Sequence, residues 1–260
     1  MIKTAKKIRI GLKTSTSNIR IIKEAAMLNR SGVLDYVELY SIPGSLEQVQ
    51  NYWRNSGIPA VLHAPHASHG VNLADPEVAE RNRTVFNEVQ RFADILSTEI
   101  IIAHSGNGGT VDETVRQLRA INDPRICIEN KPLRGLNGKI CQGHSVEEIS
   151  RILKEGKVGG FVLDFGHAFC AANSTGVAQK KVVEDFLALN PRLFHLSDGD
   201  RLSEMDHHVN LGKGSFDIPF ILSRIPDGGS VSLETPRASI DSLEDFLPEV
   251  AFLRGILNEK

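Results

Sequence analysis

The sequence has few cysteines and no strong excess of charge. Three cysteines, Cys127, Cys141 and Cys170, occur in 260 residues, and none belongs to a Cys-x-x-Cys pair. This small, odd number argues against a disulfide framework and favours a reducing compartment. The net charge of −2 also lacks the basic surplus that typically accompanies non-specific binding to nucleic acid.

Long apolar runs are absent as well. No run approaches the roughly 20 residues needed to cross a membrane, and the segment Met1–Lys7 has no apolar stretch behind its charges. We therefore expect a cytoplasmic protein that does not contact membranes. Hydrophobic residues still make up 41% of the chain and charged residues 24%, which is enough for a large core beneath a solvated surface.

Short apolar runs alternate with longer amphipathic ones along the chain. The apolar runs predict eight strands: Ile8–Leu12, Leu34–Leu39, Ala60–His63, Ile100–His104, Ile126–Glu129, Phe161–Asp164, Leu193–His195 and Val231–Glu234. The amphipathic runs predict eight helices: Asn18–Leu28, Leu46–Asn55, Pro76–Leu96, Val111–Ile121, Val146–Glu155, Ala178–Leu189, Ile218–Ile225 and Leu243–Leu257.

Strict alternation of strands and helices predicts a parallel sheet with right-handed crossovers. Eight such units in 260 residues predict an α/β fold that closes into a (β/α)₈ TIM barrel, one domain over residues 1–260. An open doubly wound sheet is the alternative fold. The longest irregular stretches, Asn130–Gly143 and Ser197–Phe216, both follow strands and would lie at the catalytic face of a barrel.

Six consecutive predicted strands, from the third to the eighth, end in a histidine or a carboxylate. These residues are His63, His104, Glu129, Asp164, His195 and Glu234. His167 follows Asp164 by three residues, and Asp206 and His208 lie in the loop after the seventh strand. Because the carboxyl ends of parallel barrel strands meet at one mouth, we expect these nine side chains to converge.

Converging carboxylates repel one another and resist ionisation, and divalent cations relieve that repulsion. Imidazole together with carboxylate suits Zn²⁺, and also Mn²⁺ or Fe²⁺. Taken singly, a histidine at a strand end is more often a hydrogen-bonded structural residue, and a glutamate there is usually a solvated charge. The coincidence of six such strand ends nevertheless predicts a multinuclear metal site and a metal-dependent enzyme.

Several residues near the predicted mouth are candidates for substrate contact. They are His66, just past the third strand, Lys131 and Arg134 after the fifth strand, and Lys213 in the loop that carries His208. For the three basic residues the alternative interpretation is a solvated loop charge. His207, which adjoins two of the proposed ligands, is expected to face solvent.

At these motifs the sequence resembles the endonuclease IV family of metal-dependent apurinic/apyrimidinic endonucleases, within the wider group of xylose isomerase-like barrels. The resemblance runs from about His63 to Glu234 in the same motif order and is strongest from Asp164 onward. It implies three zinc ions and cleavage of a phosphodiester beside an abasic site in DNA.

The resemblance also implies a ligand set for each ion. One ion would be held by His63, His104 and a bridging Glu129. A second would be held by Glu129, Asp164, His195 and Glu234. A third would be held by His167, Asp206 and His208. The three shared or central carboxylates, Glu129, Asp164 and Glu234, are then the expected catalytic residues.

The sequence departs from the family pattern in its loops. The stretch Lys13–Asn18 after the first strand and the stretch Ser41–Gly44 after the second are both short. His66 stands where the family carries an aromatic residue. With the near-neutral charge, these departures predict weak binding to undamaged duplex DNA.

Two other functions remain open. An isomerase or epimerase of the same barrel group would act on a small sugar or sugar phosphate, and it would need only the four-ligand centre of Glu129, Asp164, His195 and Glu234. A non-catalytic barrel would need no ligand set at all. Phosphodiester hydrolysis is preferred because it also accounts for His63, His104, Asp206 and His208.

Overall fold

The structure is a computed structural model that describes residues 6–258. In this part of the chain the fold is built on eight parallel strands. The strands are β1 Arg9–Ser15, β2 Tyr36–Tyr40, β3 Ala60–His63, β4 Ile101–His104, β5 Ile126–Glu129, β6 Gly160–Asp164, β7 Leu193–Leu196 and β8 Ser230–Leu233. The predicted domain of residues 1–260 also includes residues 1–5 and 259–260, which lie outside the described residues.

The sheet closes on itself. Each strand pairs in parallel with the next one in sequence, and β1 pairs with β8 through partners such as Ile10 and Val231. The predicted (β/α)₈ TIM barrel is therefore confirmed, and the alternative of an open doubly wound sheet is wrong. Closure brings the carboxyl ends of all the strands to one mouth.

Helices follow the strands and cover the outside of the barrel. Within residues 6–258 they are α1 Ile22–Arg30, α2 Leu46–Ser56, α3 Ala79–Leu96, α4 Val111–Ile121, α5 Val146–Glu155, α6 Phe165–Thr175, α7 Gln179–Leu187, α8 Ile218–Arg224 and α9 Phe246–Asn258. None of these helices combines the length and the apolar character that a membrane span requires.

Helix α6 is an element that the sequence pattern did not predict. Its residues Phe165–Ala172 are all buried, so the segment has no polar face that would reveal a helical period. The Asp164 carboxylate begins the helix by accepting a hydrogen bond of 2.7 Å from the backbone N–H of His167. This short helix fixes His167 at the mouth of the barrel.

Strand β1 is longer than its apolar run suggests. It continues to Ser15, and Lys13 pairs in register with Glu38 of β2. The predicted loop Lys13–Asn18 is therefore wrong in its first half, because three of its residues belong to the strand. Lys13 ends the apolar run but not the strand, since its side chain points to the polar mouth.

The interior of the barrel is filled in layers below that mouth. Tyr36, Ile102, Cys127, Val162 and Leu193, from five different strands, form one buried cluster. Side chains two residues apart on a strand face the same side. The residue two positions after each member of the cluster therefore also points inward, one layer nearer the mouth.

Gly11 allows the ring of Tyr36 to lie across the barrel interior. A β-carbon at Gly11 would lie 2.3 Å from the Tyr36 ring, which is 3% exposed and cannot move aside. We expect Gly11→Ala to lower the free energy of unfolding by about 1–3 kcal/mol, the usual cost of overpacking a core. Urea denaturation measures this change.

Gly255 provides the matched control, because a β-carbon at this position of α9 would meet nothing within 4 Å. Gly255→Ala should raise stability by about 0.5–1 kcal/mol, as expected for alanine in a helix. Equal stability of the Gly11→Ala variant and the wild type would contradict the packing explanation.

Candidate metal centre

Every strand of the described barrel brings a charged or imidazole side chain to the mouth. In chain order these are Lys13, Glu38, His63, His104, Glu129, Asp164, His195 and Glu234. Glu234 directly follows β8, and its backbone N–H donates a hydrogen bond of 3.0 Å to the carbonyl of Leu196. Glu38, His63 and His195 are completely buried, so this ring is part of the interior and not of the surface.

His63, His104 and Glu129 form the first group. The Nδ1 atom of His63 donates to the backbone carbonyl of Ala64 at 2.8 Å, which turns its Nε2 toward Glu129. The Nε2 atoms of His63 and His104 both lie 3.2 Å from the same oxygen, Oε2 of Glu129. The candidate ligand atoms of these three residues are within 4.8 Å of one another, close enough to share one ion.

The second group joins Glu129 to Asp164, His195 and Glu234. The Nδ1 atom of His195 lies 2.7 Å from Oε1 of Glu234, 3.4 Å from Oε2 of Glu129 and 4.0 Å from Oδ2 of Asp164. Glu129 thus belongs to both groups, so its carboxylate lies where a ligand that bridges two ions would lie.

The third group reaches the mouth from α6 and from the loop after β7. Oδ2 of Asp206 lies 3.2 Å from Nε2 of His167 and 2.8 Å from Nε2 of His208. The opposite nitrogens of these rings donate to backbone carbonyls, His167 to Asn130 and His208 to Glu234. The geometry also places Asp164 within reach of His167 and His208.

Asn130 holds the ends of β5 and β6 together at this point. Its buried side chain accepts from the backbone N–H of Asp164 at 2.8 Å and donates to the Asp164 carbonyl at 2.9 Å. The two hydrogen bonds fix Asp164 relative to Glu129, which immediately precedes Asn130 in the chain. The Asn130 side chain therefore holds the backbone of Asp164 in place beside that of Glu129.

Unpartnered polar atoms concentrate in this centre. Of the four buried side-chain atoms without a hydrogen-bond partner among the described residues, three are Oε1 of Glu38, Oε1 of Glu129 and Nδ1 of His195. Charged groups do lie near these atoms, Lys13 at 3.3 Å from Glu38, Lys131 at 3.8 Å from Glu129 and Glu234 at 2.7 Å from His195. A buried polar atom without a hydrogen bond is nevertheless costly unless something binds it. Imidazole and carboxylate donors at these distances fit Zn²⁺, Mn²⁺ or Fe²⁺.

The electrostatics of the carboxylates are strongly perturbed. Burial raises the pKa of Asp164, and the negative charges of Glu234, Asp206 and Glu129 oppose its ionisation further. Burial alone would also raise the pKa of Glu129, but its interactions with His104, His195 and Lys131 lower it well below its ordinary value. Glu129 is therefore an anion surrounded by groups able to take positive charge.

Two predicted substrate residues lie directly against the centre. The His66 ring stacks on His104 with centroids 4.6 Å apart and planes 11° apart, and burial lowers the pKa of His66 to about 3, so the ring is neutral. The Lys131 ammonium lies 3.3 Å from Nε2 of His167 and 3.8 Å from Oε1 of Glu129. Lys131 thus belongs to the centre and not to the outer part of its loop.

The other two predicted substrate residues are peripheral. Arg134 and Lys213 are exposed, and neither makes a hydrogen bond or an ion pair with the centre among the residues that the structure describes. A contact of either residue with substrate stays a prediction.

Sequence reasoning missed Lys13 and Glu38. Oε2 of Glu38 lies 2.9 Å from Nε2 of His195, and the Lys13 ammonium contacts both Glu234 and, at 3.3 Å, Glu38. The signal that could have found Glu38 is the alternation of side chains along a strand. Glu38 comes two residues after the inward-facing Tyr36, just as Glu129 comes two residues after Cys127, so both pairs face the barrel interior. The sequence pattern places Lys13 in a loop, and it places Glu38 one residue inside the predicted end of its strand.

Known proteins share this fold. The model of the family described as Xylose isomerase-like TIM barrel matches residues 27–256. A protein of Campylobacter concisus named Probable endonuclease 4 is 27% identical over 241 residues, which cover 84% of this chain and 83% of that protein.

Solved structures with the same architecture come from two functional groups. Endonuclease IV from Thermus thermophilus has a TM-score of 0.70 at 21% identity, with 97% of this chain and 100% of that chain covered. A D-tagatose 3-epimerase-like protein has a TM-score of 0.72 at 18% identity, with 96% of this chain and 97% of that chain covered. At these identities both likenesses show the fold alone.

The contacts of Glu129 generate a direct prediction. Glu129→Gln keeps the size of the side chain but removes the charge that faces His63, His104 and His195, so the protein should lose at least one bound divalent ion. Elemental analysis after dialysis measures the metal content of the variant and the wild type. The free energy of unfolding of the metal-free protein should change less than the metal content does, because Glu129 lies at the mouth and not in the packed layers.

Asp123→Asn is the matched control. Asp123 is also buried, at 4% exposure, but it pairs with Arg125 away from the mouth, so its variant should keep the metal content of the wild type. A Glu129→Gln protein that retains the full metal content would show that Glu129 is not a ligand.

Proposed function

We propose that this chain, which belongs to the xylose isomerase-like TIM barrel family, is a metal-dependent phosphodiester hydrolase. Its proposed substrates include abasic sites in DNA. The observation that supports this choice most is the third group, where Asp206 contacts both His167 and His208. A single-metal isomerase centre does not need these residues, whereas a multinuclear hydrolase does.

The proposed ligands are the nine residues, in three sites. The first site consists of His63, His104 and Glu129. The second consists of the shared Glu129 with Asp164, His195 and Glu234, and the third consists of His167, Asp206 and His208. Divalent ions bound in this way, with Zn²⁺ preferred, would supply Lewis acidity and lower the pKa of bound water. The mixed imidazole and carboxylate donors support zinc over magnesium or calcium, which prefer oxygen ligands alone.

Two of the chain's own groups would face a phosphodiester at this centre. The Lys131 ammonium would hold a phosphate oxygen, because it lies between His104 and His167 and is 13% exposed. The neutral His66 ring, stacked on His104, would pack against the sugar or base beside the phosphate. Arg134 and Lys213 would contribute only screened attraction from their exposed loops.

The second candidate function is a sugar or sugar-phosphate isomerase or epimerase. It is favoured by the completeness of the group of Glu129, Asp164, His195 and Glu234, which is more buried than the third group. One ion there would serve a small sugar, with carboxylates to move its protons. The two functions therefore differ in what the third group does.

Metal content separates the two candidates. The hydrolase predicts about three divalent ions per chain when the protein is purified without chelator. Elemental analysis gives the number and the identity of the metal. A single ion per chain would contradict the trinuclear proposal and favour the isomerase.

A double substitution dissects the site further. Asp206→Ala with His208→Ala should empty the third group and leave the four-ligand group filled. If the third site stabilises charge on the reacting phosphate, phosphodiester cleavage should fall by about 10² to 10³, the usual loss for one such electrostatic group. The assays use an abasic-site oligonucleotide, a generic phosphodiester and a panel of ketoses.

His207→Ala is the matched control, because His207 lies between the two substituted residues but is exposed. This variant should cleave at the rate of the wild type. Wild-type ketose turnover that survives the double substitution, with no phosphodiester cleavage, would overturn the hydrolase in favour of the isomerase.

A further inference from the structure

The carboxylate of Glu38 accepts a hydrogen bond from the Nε2 atom of His195. Both side chains are completely buried, and their atoms Oε2 and Nε2 are 2.9 Å apart. The rings of His63, His167 and His208 are held differently, because each donates its Nδ1 hydrogen to a backbone carbonyl. His195 is thus held through the opposite nitrogen and by a charged acceptor.

This contact decides which nitrogen of His195 faces the centre. A carboxylate acceptor fixes a hydrogen on Nε2, so the lone pair of the neutral ring is on Nδ1. Nδ1 is buried, has no hydrogen-bond partner and lies 2.7 Å from Glu234 and 3.4 Å from Glu129. Beside these two carboxylates Nδ1 must carry either a proton or a bound cation, and in both cases the contact of Glu38 with Nε2 directs Nδ1 at the centre.

Lys13 balances the charge that Glu38 adds. Its ammonium lies 3.3 Å from Oε1 of Glu38 and also contacts Glu234. A buried carboxylate without a nearby cation would carry a large desolvation cost. Strand pairing holds the two residues side by side, because Lys13 and Glu38 are direct partners in the register of β1 and β2.

We propose that Glu38 is a positioning residue that turns Nδ1 of His195 toward the metal held by Glu129, Asp164 and Glu234, and that Lys13 is the counter-cation of Glu38. The proposal rests on the metal centre of the proposed function but not on its substrate. An acidic partner on the far nitrogen of a ligating histidine fixes the ring and raises its basicity. Glu38 therefore sets how tightly this ion is bound.

The two residues should act on metal affinity in opposite directions. Glu38→Gln leaves an acceptor oxygen but removes the charge, so the dissociation constant of one bound ion should rise by about 10- to 100-fold. Lys13→Met removes a positive charge beside Glu234, so the same ion should bind at least about threefold more tightly. A purely structural role would weaken binding in both variants.

Competition between the protein and a chromogenic chelator for Zn²⁺ measures these affinities in the full-length chain. The variants are Glu38→Gln, Lys13→Met and the double variant. The double variant should bind the ion less tightly than Lys13→Met alone, and because it removes both members of the Lys13–Glu38 pair it keeps the test available if Glu38→Gln fails to fold. Asp123→Asn is the control, since Asp123 is a buried carboxylate paired with Arg125 away from the mouth. The visible spectrum of the Co²⁺ form, which reports ligand geometry, should change in Glu38→Gln and not in Asp123→Asn.

Three results would overturn the proposal. Wild-type affinity and an unchanged Co²⁺ spectrum in Glu38→Gln would show that Glu38 does not position His195, while the proposed hydrolase would stand. Weaker binding in Lys13→Met would show that Lys13 is not a counter-cation. A wild-type protein that binds no divalent ion would overturn the proposed function as well as this inference.

Discussion

A closed barrel of parallel strands forces side chains two residues apart to share the interior, and it directs every strand toward the same mouth. In this chain the constraint converts a series of separate strand ends into one cluster. Tyr36, Cys127 and Leu193 fill one layer, and Glu38, Glu129 and His195 stand above them. The site therefore depends on the register of the barrel, since a one-residue slip would turn its side chains outward.

Buried charge is the second constraint, and it explains how the site is supported. Carboxylates in the interior must be matched by cations or by polarised hydrogen bonds. The backbone carbonyls orient His63, His167 and His208, and Asn130 fixes the backbone of Asp164. Each of the three histidine contacts leaves the Nε2 atom of its ring directed at a carboxylate of the centre.

The extent to which the sequence predicts this arrangement varies along the chain. Strands β3 to β8 end where their apolar runs end, to within a residue, so His63, His104 and Glu129 could be placed at the mouth from the pattern alone. Strand β1 runs past its apolar stretch, and Lys13 therefore looked like a loop residue. Only the pairing of Lys13 with Glu38, a property of the closed sheet, reveals that both belong to the ring.

Helix α6 shows a different limit. A segment buried on all sides has no alternation to detect, so Phe165–Thr175 could be identified only through the cap that Asp164 provides. Its neighbour in the centre, Lys131, is predicted as a substrate contact with a solvated loop charge as the alternative, and its ammonium lies among the imidazoles. Long side chains near a barrel mouth can turn either way, and local sequence does not decide between them.

The charge of the centre bears on which substrate it suits. Five carboxylates contribute negative charge, and two lysines contribute positive charge. The carboxylates are those of Glu38, Glu129, Asp164, Asp206 and Glu234, and the lysines are Lys13 and Lys131. One divalent ion would leave such a centre net negative, which suits a neutral sugar better than a phosphate. Three divalent ions would make it net positive and attract an anionic phosphodiester. The number of ions that these ligands hold therefore also determines the sign of the field that a substrate meets.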